Sequence, residues 1–350
     1  LRPRTDADGH GPMAAAAQRV SQQTVQARHA VQSALADLPA GSLVLVACSG
    51  GPDSAALAAA TAYVARRRGL ATHAVVVDHA LQSGSAQIAA WAREVCLRLG
   101  IQAGEVVPVQ VGHQGGPEGA ARQVRQAALR ERAAALGGKA VLLGHTRDDQ
   151  AETVLLRLAR GSGARSLSAM REQDGLWRRP FLGLPREVVH ASAEESLAGI
   201  GEQAWRDPHN EDPRFTRSRV RSAMGTVQAA LGVDVTGALA RTAEQLRDDA
   251  DALDALGMNA FAERVVVQAD GLTCATADLQ ALPRALRTRV IRTMCLAAGC
   301  DPGALAAEHV WTVERLVTDW HGQGPTFLPG GVRADRRYGR LTVHRPPAAE

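Results

Sequence analysis

Between residues 43 and 160 the chain alternates, four times over, a short apolar run with a helix-length segment, and this alternation constrains the fold more than any other feature. Residues 43–47, 74–77, 105–111 and 140–143 read as strands, and residues 53–68, 86–99, 119–136 and 148–160 as helices. The second of these helices places Ile88, Ala92, Val95 and Leu99 on one face. A further helix over residues 20–38, with Val31, Leu35 and Leu38 at helical spacing, precedes them and stops at Pro39 and Gly41. Strands that alternate with helices imply an α/β fold with a parallel sheet covered on both faces, and such sheets bind ligands at the carboxyl ends of their strands.

The alternation ends near residue 180. Residues 199–213, GIGEQAWRDPHNEDP, have the punctuation of a connector, and beyond them the pattern is mostly helical over residues 216–231, 235–262, 278–298 and 305–320. The expected organisation is a first domain over 18–205, a connector over 206–215 and a smaller, mainly helical domain over 216–350. Residues 1–17 read as a disordered or non-native leader, with Met13 as an alternative start. At 350 residues and 45% hydrophobic content the chain can build two real cores. No apolar run approaches the roughly 20 residues that cross a bilayer, so no membrane partner is expected. The five cysteines, Cys48, Cys96, Cys274, Cys295 and Cys300, are odd in number and contain no CxxC pair, which argues against a disulfide framework or a thiolate metal site. With no secretory pattern at the start, the cytoplasm is the expected compartment.

The first strand runs straight into Ser49, Gly50, Gly51, Pro52, Asp53 and Ser54, which open the next helix. Glycines let a backbone approach a ligand closely, a helix N-terminus presents unpaired N–H groups at the positive end of its dipole, and serine hydroxyls add donors. The segment is an anion cradle. It lacks the lysine of a Walker loop and the spacing of a GxGxxG fingerprint, so bound charge must be met by backbone, dipole, arginine or Mg²⁺. Pro52 suits the first helical position, where its missing N–H has no partner to lose. Taken alone, the hexapeptide also fits an ordinary tight turn with Asp53 as a first-turn acid.

In its setting, SGGPDS after an apolar strand resembles the phosphate loop of the N-type ATP pyrophosphatases, the PP-loop superfamily. Later segments resemble one branch, the tRNA(Ile)-lysidine synthetase family. Strand two ends in Val77, Asp78 and His79, similar to that family's VDHGLR segment, with Ala80 and Gln82 as departures. Residues 144–170, GHTRDDQAETVLLRLARGSGARSLSAM, follow the family pattern almost throughout. RRPFLGLPREVV over 178–189, DPHNEDPRFTRSRVR over 207–221 and EGAARQVRQAAL over 118–129 are similar to further family elements, the last with Gln126 in place of an aromatic residue. The resemblance spans residues 41–225 in order.

The resemblance implies an adenine nucleotide α-hydrolase-like, Rossmann-like domain that binds ATP on Ser49–Ser54, with Asp53 oriented toward Mg²⁺ and pyrophosphate. It implies ligation of L-lysine to the wobble cytidine of a CAU-anticodon tRNA(Ile) through an adenylylated intermediate, and, by analogy alone, a homodimer. His145, Asp149 and Glu152 lie at i, i+4, i+7. His145 is then placed to hydrogen-bond the nucleotide, while the carboxylates receive an ammonium, bind metal or help deprotonate the attacking amine. Without the motif, the same acids read as a charged helix N-terminus. Arg125, with Arg122 three residues before it, is placed to offset charge on the α phosphate. Asp78 and His79 fit either the nucleotide pocket or a structural hydrogen bond.

The net charge of +4 hides an uneven distribution: Lys139 is the sole lysine, and arginines cluster at residues 157–179, 206–221 and 333–345. GC-rich coding accounts for arginine in place of lysine; the clustering suits a phosphate backbone. Arg217, Arg219 and Arg221 are the RNA-binding candidates. Aromatic residues make up only 3%, so base stacking is confined to a few platforms such as Trp177, Trp205 and Phe215, which also fit core packing. The competing functions are a PP-loop tRNA cytidine thiolase and an inactive tRNA-binding relative.

Overall fold

The structure, a computed structural model, describes residues 20–80, 84–110, 117–205, 212, 214–268 and 271–346. The leader over 1–17 and most of the connector, residues 206–211 and 213, lie outside the described residues. The chain divides into two compact units: residues up to Gly161 with Ala169–Arg241, and Ser162–Ser168 with the residues from Thr242 onward. The division therefore falls after the connector, and the helix that follows it belongs to the first unit.

In the first unit, α1 (Gln22–Ala34), β1 (Leu43–Cys48), α2 (Pro52–Arg68), β2 (Ala71–Asp78), α3 (Ser85–Arg98), β3 (Ala103–Pro108), α4 (Pro117–Leu136), β4 (Ala140–Leu142) and α5 (Arg147–Leu158) follow the expected alternation. Parallel pairing runs from Leu43↔Ala71 to Cys48↔Val76 between β1 and β2, and from Val44↔Ala140 between β1 and β4. A hairpin of two-residue strands, β5 (Gln173–Asp174) and β6 (Trp177–Arg178), extends the sheet beside β4. It is too short to leave a periodic signal, and the sequence reading assigned no strand there. α6 (Ala164–Leu167) groups with the second unit, whereas α7 (Arg186–Ala198) and α8 (Thr216–Leu231) complete the first.

The sheet order is β3-β2-β1-β4-β6-β5. The chain leaves β1 toward β2 on one side and reaches β4 on the other, so the loops after β1 and β4 diverge and open a crevice at the carboxyl ends of the strands. Both faces are buried, which explains why these strands are continuous apolar runs. Val44, Val46 and Cys48 pack with α1, α2 and α7 residues such as Val31, Leu57 and Leu197, while Leu45, Val75 and Val141 face Leu129 and Ala133 of α4.

α9 (Val235–Arg264) spans the division, and the second unit continues with β7 (Val266–Gln268), β8 (Gly271–Ala275), α10 (Thr276–Gln280), α11 (Arg284–Ala297), α12 (Ala307–Thr318), β9 (Thr326–Leu328), β10 (Val332–Arg337) and β11 (Arg340–His344). Three of the expected helices are present and the one over 278–298 is broken at Pro283 into α10 and α11; an antiparallel sheet of order β7-β8-β11-β10-β9, which the helical reading left out, accompanies them. Its period is in the sequence: Val332, Ala334, Leu341 and Val343 are fully buried, and Arg333, Asp335, Arg340 and Thr342 alternate with them. Arg333, Arg336, Arg337 and Arg340 give these two strands the composition of a charged surface segment.

Candidate active site

The Ser49–Gly51 turn carries the chain from β1 into α2. Gly50 has φ +83°, and a Cβ there would stand 2.9 Å from the Trp91 ring of α3, so both backbone conformation and space demand glycine. Gly51 caps α2 in an extended conformation without a side-chain bond, and Pro52 begins the helix, leaving its N-terminal N–H groups directed into the crevice. Ser54 Oγ donates to the Gly51 carbonyl (2.9 Å) and accepts from Ser49 N (3.2 Å). Its hydroxyl thus braces the loop, and the exposed Ser49 is the serine open to a ligand. The loop after β4 approaches closely, since a Cβ on Gly144 would lie 3.0 Å from the Asp53 carbonyl oxygen.

A cleft of about 2290 Å³, all within the first unit, opens over this loop. That exceeds the roughly 300–1,000 Å³ of a small-molecule pocket and leaves room for a nucleotide and part of a larger substrate. Ser49, Gly51, Pro52, Asp53, Ser54, Arg125, Asp149, Arg217 and Arg221 line it, as do Arg122, Arg157, Arg186 and His190. Gly50, His145 and Glu152 sit behind this lining. Arg219 is the exception among the RNA-binding candidates. Two residues from Arg217 on α8, it turns away and donates to Arg214 O (3.0 Å) and Thr216 Oγ1 (3.2 Å), while Arg217 and Arg221, four apart, share the face toward the cleft.

The cleft is divided by charge. On one side Arg122, Arg125, Arg179 and Arg217 stand close enough to perturb one another. Burial and the Arg217 and Arg125 guanidinium groups push Arg122 down to about 10, and burial with Arg217 lowers Arg125. Arg125 Nε is buried without a hydrogen-bond partner. Like charges held this close favour an anion between them. His145, beside them, is pushed down to about 3 by burial and by Arg125, Arg122 and Arg179, against the pull of Asp149. It is therefore a neutral imidazole at physiological pH, able to hydrogen-bond but too weak a base to take a proton.

On the other side α5 presents its acids. Thr146 caps α5, and Asp149 Oδ2 accepts from Thr146 N (2.7 Å) and Oγ1 (3.0 Å), so the capping role and the cleft-facing role fall on one residue. Arg186 Nη2 donates to Asp149 Oδ1 and to Glu152 Oε1, both at 3.1 Å. Arg221 Nε donates to Glu152 Oε1 at 2.8 Å. Burial pushes Asp149 up, but Arg186 and the Thr146 bonds together hold it below the usual carboxylate value. Asp78 Oδ1 accepts from Ala80 N (2.9 Å), the structural alternative for that residue.

Sequence reasoning gave no role to Arg186, Arg179 or His190. The first two fall inside the RRPFLGLPREVV segment, which was the available signal. His190 lies just past it, and only the packing of α7 on α2 brings its Nε2 to 3.1 Å from Asp53 Oδ1. All five cysteines are free and buried, and none lines the cleft among the described residues. Burial pushes Cys274 up to about 11 and Cys295 up to about 12.

Residues 22–227 match the PP-loop domain family, and residues 275–342 match the TilS substrate binding domain. The chain is 56% identical to the tRNA(Ile)-lysidine synthase of Thermobifida fusca (strain YX), over 90% of this chain and 96% of that one. It is 52% identical to the tRNA(Ile)-lysidine synthase of Streptomyces coelicolor, over 88% and 87%. Among solved structures, the U34-tRNA thiolase NcsA from Methanococcus maripaludis, with its [4Fe-4S] cluster, superposes with a TM-score of 0.53 at 17% identity, covering 65% of this chain and 79% of that one, a likeness of fold. Glycine loop, arginine cluster and paired acids thus stand on a chain matched over 90% of its length, and the chain belongs to the tRNA(Ile)-lysidine synthase family.

Proposed function

We propose that this protein uses ATP to ligate L-lysine to C2 of the wobble cytidine in a CAU-anticodon tRNA(Ile), forming lysidine and releasing AMP and pyrophosphate. The observation that carries this reading is one cleft whose lining sets Arg122, Arg125 and Arg217 beside Asp149, with Glu152 just behind it, since the reaction joins a polyanion to an ammonium-bearing amino acid. Cytosine O2 attacks the α phosphorus and pyrophosphate leaves. The lysine amine then adds at C2, loses a proton, and expels AMP together with the former O2. Backbone N–H groups at the start of α2 and Ser49 hold the phosphates, and Arg125 and Arg122 offset charge that grows at the α phosphate. Neutral His145 serves as a hydrogen-bonding group toward the nucleotide, reached from behind the lining. Asp149 and Glu152 draw in the lysine and favour loss of its proton.

Mg²⁺ fits the residues present. Among the described residues no group of three His, Cys, Asp or Glu side chains forms a cage, but Asp53 Oδ1 is buried at the loop without a hydrogen-bond partner. One carboxylate plus substrate phosphates is the ordinary donor set for this ion, which when bound neutralises the phosphates beside Asp53. Arg217 and Arg221 face the cleft where an extruded nucleotide must enter. On the second unit, Arg333 over Phe327 and Arg336 over Trp320 offer cation and aromatic surface of the kind RNA contacts use. No helix of the described residues is long and apolar enough to cross a membrane.

The test is incorporation of radiolabelled lysine, with ATP, into CAU-anticodon tRNA(Ile) but not into methionine tRNA. Sulfur transfer without lysine incorporation would favour the thiolase reading, which the inert, buried cysteines oppose.

A further inference from the structure

His190 has no part in the roles above, although it faces the Asp53 carboxylate. His190 projects from α7 into the cleft, and its Nε2 lies 3.1 Å from Asp53 Oδ1. The two atoms approach without hydrogen-bond alignment, and both are buried with no other partner. Two polar atoms facing one point with unmet capacity mark a place where a ligand completes the bonding. The placement follows from packing. The alanines of α2, among them Ala55, Ala58 and Ala62, are buried, and α7 lies close along them with Val189, Ser192, Ala193 and Leu197 turned inward. His190, next to Val189, is thereby delivered to the N-terminal turn of α2, where the phosphate loop ends.

We propose that His190 is a substrate-contacting residue of the pyrophosphate end of the ATP site, its Nε2–H donating to a β- or γ-phosphate oxygen of ATP and then to departing pyrophosphate. This rests on reading the cleft as an ATP site. Its physical motive is electrostatic: the Asp53 carboxylate repels the phosphates beside it, and a donor on the same spot turns part of that repulsion into a shared hydrogen-bonded arrangement. The arginine cluster lies toward Arg125, Arg122 and His145, so His190 and that cluster would hold different parts of the nucleotide: the leaving group on the α7 side, the α phosphate on the α4 side.

The experiment is equilibrium binding of pyrophosphate, and separately of AMP, by calorimetry in the presence of Mg²⁺, with wild type, His190→Ala and His190→Gln. Losing one hydrogen bond to a charged group should weaken pyrophosphate binding by about 10- to 100-fold in His190→Ala, with AMP binding changed less than about twofold. His190→Gln, whose amide N–H reaches toward the Nε2 position, should recover most of the loss. His190 is partly exposed, so the alanine variant should keep the wild-type thermal midpoint. Unchanged pyrophosphate affinity in His190→Ala, an equal loss of AMP affinity, or no recovery in His190→Gln overturns the proposal. Wild-type protein that binds neither ATP nor pyrophosphate overturns instead the ATP-site reading beneath it, and the proposal with it.

Discussion

Replacing Arg186 with methionine removes a single cation that serves two acids at once. Its Nη2 lies 3.1 Å from both Asp149 Oδ1 and Glu152 Oε1, whose side chains are 15% and 2% exposed. Deleting one partner of a buried pair costs about 3–5 kcal/mol, because the remaining charge keeps its desolvation penalty. Glu152 retains Arg221 and Asp149 retains the Thr146 bonds, so the lower end, about 3 kcal/mol near pH 7.5, is expected. The pH dependence has a fixed sign. In the wild type Asp149 is held below its ordinary value, and that stabilisation is lost as pH falls. Without Arg186, burial acts against fewer opposing charges and raises the variant's Asp149, so the variant gains from protonation as pH drops and the difference between the two proteins shrinks. Urea unfolding of the full chain, fitted with one transition per unit and compared at about pH 7.5 and pH 5.5, measures this. A loss under about 1 kcal/mol, or one equal at the two pH values, would refute the buried-network argument. Adding Glu152→Gln should return part of the loss, since it removes one of the charges left unbalanced.

Three further outcomes follow from named contacts. Gly50→Ala forces an L side chain to φ +83° and against Trp91, so it should cost about 1–2 kcal/mol and weaken ATP binding at least 10-fold, read by thermal melting and calorimetry. His145 sits at about 3 when folded against an ordinary value near 6.5, so folding loses stability as pH falls between them, by up to about 1.4 kcal/mol per pH unit, and His145→Gln should flatten that slope in acid-range urea titrations. Arg219→Gln should leave lysine incorporation within about twofold of wild type, whereas Arg221→Gln, which takes a partner from buried Glu152, should lower it by 10-fold or more in the same radiolabel assay.

Much of the first unit was legible in the sequence because its signals are local. A strand buried on both faces must be a continuous apolar run, a phosphate loop must have glycine where the backbone turns left-handed, and a capped helix must carry its acids in the first turn; Leu43–Cys48, Gly50 and Asp149 each show this. The sheet of the second unit was less legible, because its strands are three to six residues long and Arg333, Arg336, Arg337 and Arg340 stand among the apolar positions of the last two, so charge masked a period of two. The sequence by itself determined the alternating fold, the position of the anion cradle and the inventory of charged groups around it. Only tertiary structure decided which of those groups meet. That Arg186 and Arg221 converge on Glu152 and that His190 reaches Asp53 depend on how α7 and α8 pack against α5 and α2. Contacts between residues tens of positions apart leave no trace in local periodicity, because periodicity records which face of an element is buried and not what it is buried against.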